Sequence, residues 1–384
     1  MIYLDHAATT PLRPEARAVL AAALEPDAVH ANPASAHAAG REQAGRVARA
    51  RADFAALIGA DPAEIVFTSG ATEADNLAVL GRARFAQEQG RRLLLPRTEH
   101  KAVIDPVRHL AGQGWRVDWL DPGPAGVVDA QAFADACGAD TVLACAMQVN
   151  NETGHIQDVA AIGAALAGRG VPLHVDAAQA LGKVPVRVGE GIGSMAFSGH
   201  KFGAPVGVGA LYLRSRPRVG IEPLQFGGGQ ERGLRSGTLA VPMIEAFVAA
   251  AKAAEAARQA EQQRLGTMRE ALWQRLSAQL PDLIRNGAAA ATSAHVLSVS
   301  VPGVQGEALR ASLPALAASS GSACSAAQAE SSYVLRALGH DDAQADASLR
   351  LSFGHTTTAR DIDEAAAMLL AAVQRLRAMH PEAA

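Results

Sequence analysis

The sequence predicts an α/β protein with a mostly parallel sheet between helices, joined to a smaller α+β unit. Between about residues 64 and 213, short apolar runs alternate with stretches of helical pattern, which is typical of a parallel sheet. Polar segments follow several of these runs, where strands of such a sheet end at a common edge. The chain has 384 residues, more than the ~250 to 300 at which a single hydrophobic core stops growing. A second structural unit is therefore expected.

Six apolar runs define strands of the predicted sheet, at residues 65–67, 93–95, 141–144, 173–175, 195–197 and 208–212. From residue 243 to about 276 the sequence is rich in Ala, Glu, Gln and Arg, which indicates one long helix or a kinked pair. The second unit follows, with predicted strands at 296–301 and 349–352 and helices at 307–316 and 362–380. We place the large domain at residues 15–250 and the smaller domain at residues 1–14 and 251–384.

Charge and cysteine content exclude several classes of protein. The chain has 35 basic and 38 acidic residues, a balance that argues against nucleic-acid binding and against attraction to membrane surfaces. Its first residues lack the features of a signal peptide and no apolar run is long enough to span a bilayer, so a soluble cytoplasmic protein is expected. The three cysteines show no CxxC pair or Cys/His spacing, so neither a disulfide framework nor a metal site is predicted.

An aspartate and a lysine follow two neighbouring predicted strands. Asp176 ends one strand and Lys201 comes just after the next, so both side chains can face one crevice. A buried lysine loses its charge readily and becomes an amine that condenses with an aldehyde. An aspartate opposite it would keep a pyridine nitrogen protonated. The pair suggests a pyridoxal phosphate site, and the alternative is a solvated lysine in a glycine-flanked turn.

The segment 68–73 follows a predicted strand and opens a helix. Free backbone N–H groups at the helix N-terminus, with the Thr72 hydroxyl, suit a phosphate dianion. The alternative is an ordinary helix N-cap. The segment matches neither G-x-x-x-x-G-K-[ST] nor G-x-G-x-x-G, so a nucleotide is not favoured.

Other polar segments allow a functional and an ordinary interpretation. His100 follows the strand at 93–95, where an imidazole can stack on a cofactor ring or transfer protons, although a lone histidine is more often an ordinary residue. The segment 150–154 is typical of an Asn/Gly turn. Residues 227–238 combine glycines, two arginines and hydroxyls, which suits backbone close to an anion across a subunit boundary, or else a flexible linker.

Cys324 differs from the other two cysteines in its surroundings. Cys137 lies on a helical pattern and Cys145 in a strand, and both are predicted to be inert thiols in apolar structure. Cys324 lies in a run of small polar residues, 319–327, which suits an exposed loop in which a thiolate can react. An unreactive exposed cysteine is the alternative.

Taken in order, these segments resemble the cysteine desulfurases, pyridoxal phosphate enzymes of the class V aminotransferase superfamily. The resemblance covers almost the whole chain. It is carried by residues 3–11, 32–35, 67–73, 98–101, 150–154, 174–176, 198–201, 227–238 and 320–324. It implies the fold type I architecture of these enzymes, with a seven-stranded sheet in the large domain, and a homodimer.

The resemblance also implies a role for each site residue. Lys201 would bind pyridoxal phosphate covalently, Asp176 would pair with its pyridinium nitrogen, and Gln179 would bond its ring hydroxyl. His100 would stack on the ring and transfer protons. The other implied roles are phosphate binding by Ala71, Thr72, Ser198 and His200 with Thr238 of the partner subunit, substrate carboxylate binding by Asn151 and Arg350, and nucleophilic attack by Cys324.

The implied reaction converts L-cysteine to L-alanine and leaves a persulfide on Cys324. The loop around Cys324 resembles that of the group with a longer, mobile loop, which can carry sulfur to an acceptor such as an iron–sulfur scaffold or a sulfur carrier. A selenocysteine lyase or C–S lyase on the same fold is the first alternative. A non-catalytic sulfur-carrier or assembly protein is the second, and retention of Lys201, Asp176, His100 and Arg350 argues against it.

Three departures from the family pattern leave the acceptor open. His355 stands where arginine is most often expected, which removes a permanent charge near the substrate arginine. Ala204 replaces a usual glycine before Pro205. The chain ends at Ala384 without the longer tail by which housekeeping members engage their scaffold protein, so the sequence leaves the acceptor open.

Overall fold

The computed structural model describes residues 1–123, 125–287, 291–320 and 331–379. Its strands are β1 Ile2–Tyr3, β2 Ile65–Thr68, β3 Arg92–Pro96, β4 Arg116–Leu120, β5 Thr141–Met147, β6 Leu173–Asp176, β7 Ile192–Ser198, β8 Gly209–Leu213, β9 Ile284–Arg285, β10 Val296–Ser300, β11 Leu316–Ala317 and β12 Ser348–Ser352. Seven of them form the central sheet in the order β2-β8-β7-β6-β5-β3-β4. Only β8 runs antiparallel to its neighbours in that sheet. The predicted seven-stranded, mostly parallel sheet is confirmed.

Helices cover the sheet and extend beyond it. They are α1 Pro14–Ala23, α2 Ala38–Ile58, α3 Ala71–Ala86, α4 Lys101–Gly112, α5 Ala130–Ala136, α6 Val159–Ala167, α7 Val241–Gln279, α8 Gly306–Ala311, α9 Tyr333–Ala337, α10 Asp342–Asp346 and α11 Ala359–Met379. Of the two forms predicted for residues 243–276, the structure shows one long helix, α7, with 39 residues. Its alanine-rich composition favours an uninterrupted helix.

The sheet is buried because its strands are apolar throughout. All seven residues of β5 and of β7 are buried, as expected for parallel strands with helices on both faces. Behind the sheet, the ring of Phe54 packs edge-on against Phe197 at 5.1 Å and tilted against Phe247 at 4.9 Å. This core fixes the strand ends and the polar turns that follow them.

A second core lies outside the central sheet. Strands β12, β10 and β9 form an antiparallel sheet, and β1 pairs with β11 in parallel. Ile2 and Leu4 pack there with residues of α7, β10, β12 and α11. The first strand of the chain thus packs with residues more than 250 positions away. The division into domains at residues 14 and 250 stays a prediction.

Several elements differ from the sequence-based expectation. The helix predicted at 307–316 is present but shorter, because α8 ends at Ala311 and Leu316–Ala317 form strand β11 beside β1. Pro314 explains this, since it has no backbone N–H and disfavours helical geometry in the residue before it. Strand β4 and helices α1 and α2 were not predicted. Among the described residues, no helix has the length and apolar character needed to cross a membrane.

Candidate active site

A cavity of about 290 Å³ opens where several strands of the central sheet end. Ten of the twelve residues proposed from the sequence line it. They are Ala71, Thr72, His100, Asn151, Asp176, Gln179, Ser198, His200, Lys201 and Arg350. Parallel strands bring their carboxyl ends to one edge, and here the turns after β2, β3, β5, β6 and β7 meet there.

Asp176 and Lys201 are brought to this cavity by neighbouring strands. Asp176 is the last residue of β6, and its Oδ1 accepts a hydrogen bond from the backbone N–H of Ala178 at 2.9 Å. Burial raises the pKa of this carboxyl, while His100, that hydrogen bond and Lys201 oppose the rise. Lys201 lies in the turn after β7, and its Nζ donates to the carbonyl oxygens of Ala7 and Ala8, both at 2.8 Å.

Helix α3 presents its N-terminus to the same cavity. Its N-cap is Gly70, which has no side chain to bond the first N–H groups of the helix. The N–H of Ser69 is bonded by Glu73 Oε2 at 2.8 Å, and Arg235 holds Glu73 by an ion pair of 2.7 Å. Ala71 and Thr72 in the first turn line the cavity together with Ser198. Backbone donors and hydroxyls in this arrangement suit a phosphate group.

His100 is oriented by the helix that it caps. It is the N-cap of α4, and its Nδ1 accepts the backbone N–H of Ala102 at 3.1 Å. Because Nδ1 accepts, the neutral ring carries its proton on Nε2. The ring is thereby held at the cavity wall, within electrostatic reach of Asp176.

Gln179 and His200 are bonded to the N-terminal arm of the chain. Gln179 Nε2 donates to the carbonyl oxygen of Ala7 at 2.8 Å, and its Oε1 accepts from Lys183. The Nδ1 of His200 lies 3.2 Å from the hydroxyl of Thr9. Burial, with Lys201 and Lys183 nearby, lowers the pKa of His200 to about 4, so this ring is neutral at pH 7.

Arg350 reaches the cavity from β12 with only 3% of its side chain exposed. Its Nη2 donates to Asp5 Oδ1 at 2.8 Å and its Nη1 to the backbone oxygen of Asn151 at 3.0 Å. The other carboxylate oxygen of Asp5 accepts the hydroxyl of Ser319 at 2.7 Å. Sequence reasoning did not assign a role to Asp5, although it lies in one of the segments that carry the family resemblance.

The turn after β5 is built by Asn150 rather than Asn151. Asn150 Oδ1 accepts the backbone N–H groups of Glu152 and Thr153 at 2.9 and 3.0 Å. This leaves Asn151 at the cavity and confirms that the segment contains a turn. Glu152 is buried and accepts the hydroxyl of Ser332 at 2.5 Å, which joins the start of α9 to this turn.

Two predicted site residues, and the histidine that departs from the family pattern, are not among the described residues that line this cavity. Thr238 is exposed and does not line the cavity within its own subunit. Cys324 lies outside the described residues. His355 lines a separate small cavity behind Lys201, 6.4 Å from the ring of His6. Of the other cysteines, Cys145 is buried in β5 and Cys137 is half-buried at the end of α5, as predicted.

The residues of this cavity fit pyridoxal phosphate. A primary amine, a buried carboxyl and a helix N-terminus without a side-chain cap match its aldehyde, its pyridine nitrogen and its phosphate. Asp176 Oδ1 accepts the backbone N–H of Ala178, and a carboxylate has further acceptor sites that suit a protonated ring nitrogen. The imidazole of His100 offers a flat face at the wall of the same cavity.

Comparison with known proteins agrees with this geometry. A family model described as Aminotransferase class-V matches residues 2–365. The protein named Cysteine desulfurase IscS from Photorhabdus laumondii subsp. laumondii is 45% identical over 382 residues, which cover 99% of this chain and 94% of the relative. The chain therefore belongs to the class-V aminotransferase family and, within it, to the cysteine desulfurases.

Solved structures show the same fold. A NifS-like protein superimposes with a TM-score of 0.90 at 29% identity, covering 98% of this chain and 100% of that one. A structure described as SspA in complex with cysteine has a TM-score of 0.79 at 31% identity, covering 92% of this chain and 99% of that one. Family membership implies an enzyme that depends on pyridoxal phosphate.

Proposed function

We propose that this protein converts L-cysteine to L-alanine with pyridoxal phosphate, and that Cys324 receives the sulfur as a persulfide. The observation that carries the proposal is the convergence of ten sequence-predicted residues on one cavity, with the Lys201 amine and the Asp176 carboxyl on its wall. The likeness to proteins named cysteine desulfurase over nearly the whole chain supports the choice of substrate.

Pyridoxal phosphate and the side chains of the cavity would have different roles in the reaction. Bound here, pyridoxal phosphate would supply a ring that withdraws electrons from the substrate α-carbon. Asp176 would hold a proton at the ring nitrogen, and the N-terminus of α3, Thr72, Ser198 and His200 would hold the phosphate. Gln179 would bond the ring oxygen. Lys201 and His100 would move protons near the α-carbon, since an amine and an imidazole can do so near neutral pH.

Substrate orientation is assigned to Arg350 and Asn151. The guanidinium of Arg350 is planar and buried, and it suits a carboxylate with two parallel hydrogen bonds. Fixing the carboxylate at one end would direct the substrate sulfur away from it. The thiolate of Cys324 would then attack that sulfur, so that an S–S bond forms as the substrate C–S bond breaks and the carbon takes up a proton.

We also propose a cytoplasmic homodimer in which Thr238 of the partner subunit binds the phosphate. Exposure of Thr238 and of Phe226, whose side chain is 78% exposed, supports an interface along the segment 227–238. The acceptor would be an iron–sulfur scaffold or a sulfur-carrier protein that takes the persulfide sulfur from Cys324.

One experiment tests the function directly. Purified protein is incubated with L-cysteine, with and without a reductant, and alanine and sulfide are quantified. We expect a yellow protein, equimolar alanine and sulfide with reductant, and a borohydride-trapped cofactor on Lys201. The Lys201→Ala variant should lack that covalent link, and Lys252→Ala, on the exposed face of α7, is the matched control.

Two results would contradict the proposal. A colourless protein that releases no alanine would indicate an assembly protein without catalysis. Trapping of the cofactor on a lysine other than Lys201 would show that the cavity has been assigned wrongly.

A further inference from the structure

Lys183 is a second lysine beside the candidate active site, and unlike Lys201 it is buried. The chain has only four lysines, Lys101, Lys183, Lys201 and Lys252, and arginine supplies its other cationic side chains. Lys183 is 8% exposed and lies in the turn that follows Asp176 and Gln179. A lysine is rarely buried without a specific role for its amine.

The amine of Lys183 is bonded to Gln179. Lys183 Nζ donates to Gln179 Oε1 at 2.5 Å, and Gln179 Nε2 donates to the carbonyl oxygen of Ala7 at 2.8 Å. A carbonyl oxygen can only accept, so the two contacts fix which end of the amide is the donor. The same Ala7 oxygen accepts from Lys201 Nζ at 2.8 Å. Lys183, Gln179 and Lys201 are therefore connected through one backbone oxygen.

This connection determines what Gln179 offers to a ligand. Gln179 lines the cavity, its Oε1 is engaged by Lys183, and one proton of its Nε2 is engaged by Ala7. The second Nε2 proton remains for a group in the cavity. Gln179 can thus recognise an oxygen that accepts, and an ionised ring oxygen accepts more strongly than a protonated one.

The surroundings of Lys183 disfavour its positive charge. It lies beside a space of about 20 Å³ whose other polar walls are His6, Thr10, Arg13, Lys201, Glu261, His295 and His355. Of the described residues lining that space, Glu261 is the one carboxylate, and it is paired with Arg13 at 3.1 Å. Burial lowers the pKa values of His6, His295 and His355, so these rings are neutral. Burial, with Lys201 and Arg350 nearby, lowers the pKa of Lys183 to about 7.

We propose that Lys183 is a positioning residue, which holds Gln179 as a hydrogen-bond donor to the ring oxygen of the cofactor and thereby favours the ionised form of that oxygen. The inference rests on the proposed function, because it concerns the same cofactor. Lys183 does not line the main cavity, so it would act on the cofactor through Gln179.

The proposal predicts a spectroscopic effect with a definite sign. A hydrogen-bond donor to the ring oxygen would stabilise its ionised form and lower the pH at which the bound cofactor loses its proton. Removing the donor would therefore keep the cofactor protonated to higher pH. The pH midpoint of the visible absorbance of the holoenzyme should therefore rise, and the cofactor should bind more weakly.

The test compares holoenzymes in pH titrations of visible absorbance and in measurements of cofactor dissociation. For Lys183→Met we expect a midpoint about 0.5 to 1 pH unit higher and cofactor binding about 3- to 10-fold weaker, the scale of one lost hydrogen bond. Lys183→Gln, which is shorter and uncharged, is a second removal variant with the same expected shift if the Met variant fails to fold. Lys252→Met, at a surface ion pair, should match the unmodified protein.

A double-variant cycle shows whether Lys183 acts through Gln179. Gln179→Ala should raise the midpoint by itself, and adding Lys183→Met to it should give less than half of the shift seen in the unmodified background. An unchanged midpoint in the folded Lys183 variants, or full additivity in the cycle, would overturn the proposal. Neither result would touch the proposed function, whereas an unmodified protein that binds no pyridoxal phosphate would overturn the proposed function as well.

Discussion

The guanidinium of Arg350 is held by protein groups on two sides. Asp5 accepts a hydrogen bond from Nη2, and the backbone oxygen of Asn151 accepts one from Nη1. The Nε atom is buried with no hydrogen-bond partner among the described residues. Asp5 also accepts the hydroxyl of Ser319, and the backbones of Ser319 and Arg350 are bonded to each other. The orientation of this cation is thus built into the fold. A substrate carboxylate would not need to organise it.

Replacement of Arg350 is expected to affect substrate use far more than replacement of His355. Loss of one partner of a buried, charge-assisted contact costs on the order of 2 to 5 kcal/mol, so Arg350→Ala should lower kcat/KM for L-cysteine at least about 30-fold. His355 lines the small cavity behind Lys201, and His355→Ala should lower it by less than about threefold. Steady-state alanine release measures both, and equal small losses would contradict this ordering.

Glu99 makes stability depend on pH. Its side chain is buried, its Oε1 accepts the N–H of Met147 at 2.6 Å, and its Oε2 has no hydrogen-bond partner within the described structure. Burial, despite the hydrogen bond from Met147, raises its pKa from 4.5 to about 8. The unfolded chain releases this proton near pH 4.5 and the folded chain keeps it until about pH 8. Stability from this group therefore falls as the pH rises through that window.

The Glu99→Gln variant should lose less stability than the unmodified protein between pH 5.5 and 8. The neutral amide keeps the shape of the protonated carboxyl but does not titrate, so the difference should be on the order of 3 kcal/mol. Urea titrations of the cofactor-free protein at both pH values measure it. Glu25→Gln, at an exposed position, is the control. Identical pH dependence in Glu99→Gln and the unmodified protein would show that Glu99 is ionised in the fold.

At this scale the sequence identifies residues with distinctive chemistry but not their supporting contacts. Lys201, Asp176 and His100 could be found because each follows an apolar run and belongs to a reactive residue type. Asp5 lies 345 residues from Arg350 along the chain, so nothing local indicates their ion pair. Lys183 likewise resembles a surface lysine in a turn until the fold buries it. Side-chain burial and long-range pairing are properties of the packed structure.

At the scale of elements, strand ends and helix starts build the site together. Strand β2 leads into α3 and β3 into α4, so that Thr72 and His100 lie in the first turn or cap of a helix at the sheet edge. The apolar runs, and the polar segments that follow them in the sequence, predict the two strands and the helix starts. Strand β4 was missed because Arg116–Leu120 alternates polar and apolar residues at the edge of the sheet. Helix α2 was missed because its arginine- and alanine-rich sequence has few large apolar residues.

The segment 227–238 is joined to the sheet by a buried ion pair. Glu231 has 1% of its side chain exposed, and its carboxylate pairs with Arg51 at 2.5 Å and accepts the N–H of Phe67 in β2 at 2.8 Å. It thereby anchors the segment that is proposed to reach the neighbouring subunit. A charge left without its partner in this position would be poorly solvated.

Neutralising Glu231 should destabilise the protein strongly. Glu231→Gln leaves the Arg51 charge buried without its partner, so the free energy of unfolding should fall by about 3 to 5 kcal/mol. Glu364→Gln makes the same chemical change in an exposed pair on α11 and should leave the free energy of unfolding nearly unchanged. Denaturant titration compares the two. Similar small losses would mean that Glu231 does not anchor the segment.

At the scale of the whole molecule, the proposed site needs two subunits. Thr238 does not line the cavity within its own subunit, yet its segment resembles the part of the family that reaches the partner's phosphate. Thr238→Ala should weaken pyridoxal phosphate binding about tenfold without unfolding the protein, because one hydrogen bond to a charged group is lost. Equilibrium dialysis of the cofactor measures this loss.

Mixed dimers test whether the site is shared. Co-expression of Thr238→Ala and Lys201→Ala subunits places both defects in one composite site and leaves the other site intact. Activity in the mixture above that of either variant alone is the expected result. A fully active monomer at assay concentration would contradict sharing, and with it the proposed homodimer.

The central claim is that sulfur leaves the substrate through Cys324. A serine hydroxyl is un-ionised at neutral pH and cannot form a persulfide, whereas part of a thiol is already thiolate. Cys324→Ser should therefore keep the cofactor and bind L-cysteine, but release almost no alanine or sulfide. Mass spectrometry of the unmodified protein after L-cysteine treatment is the most direct measurement. It should find one extra sulfur on the peptide that contains Cys324 and none on those with Cys137 or Cys145. Release of alanine and sulfide by Cys324→Ser at near the original rate, with no sulfur on that peptide, would contradict the account and indicate direct elimination by a C–S lyase.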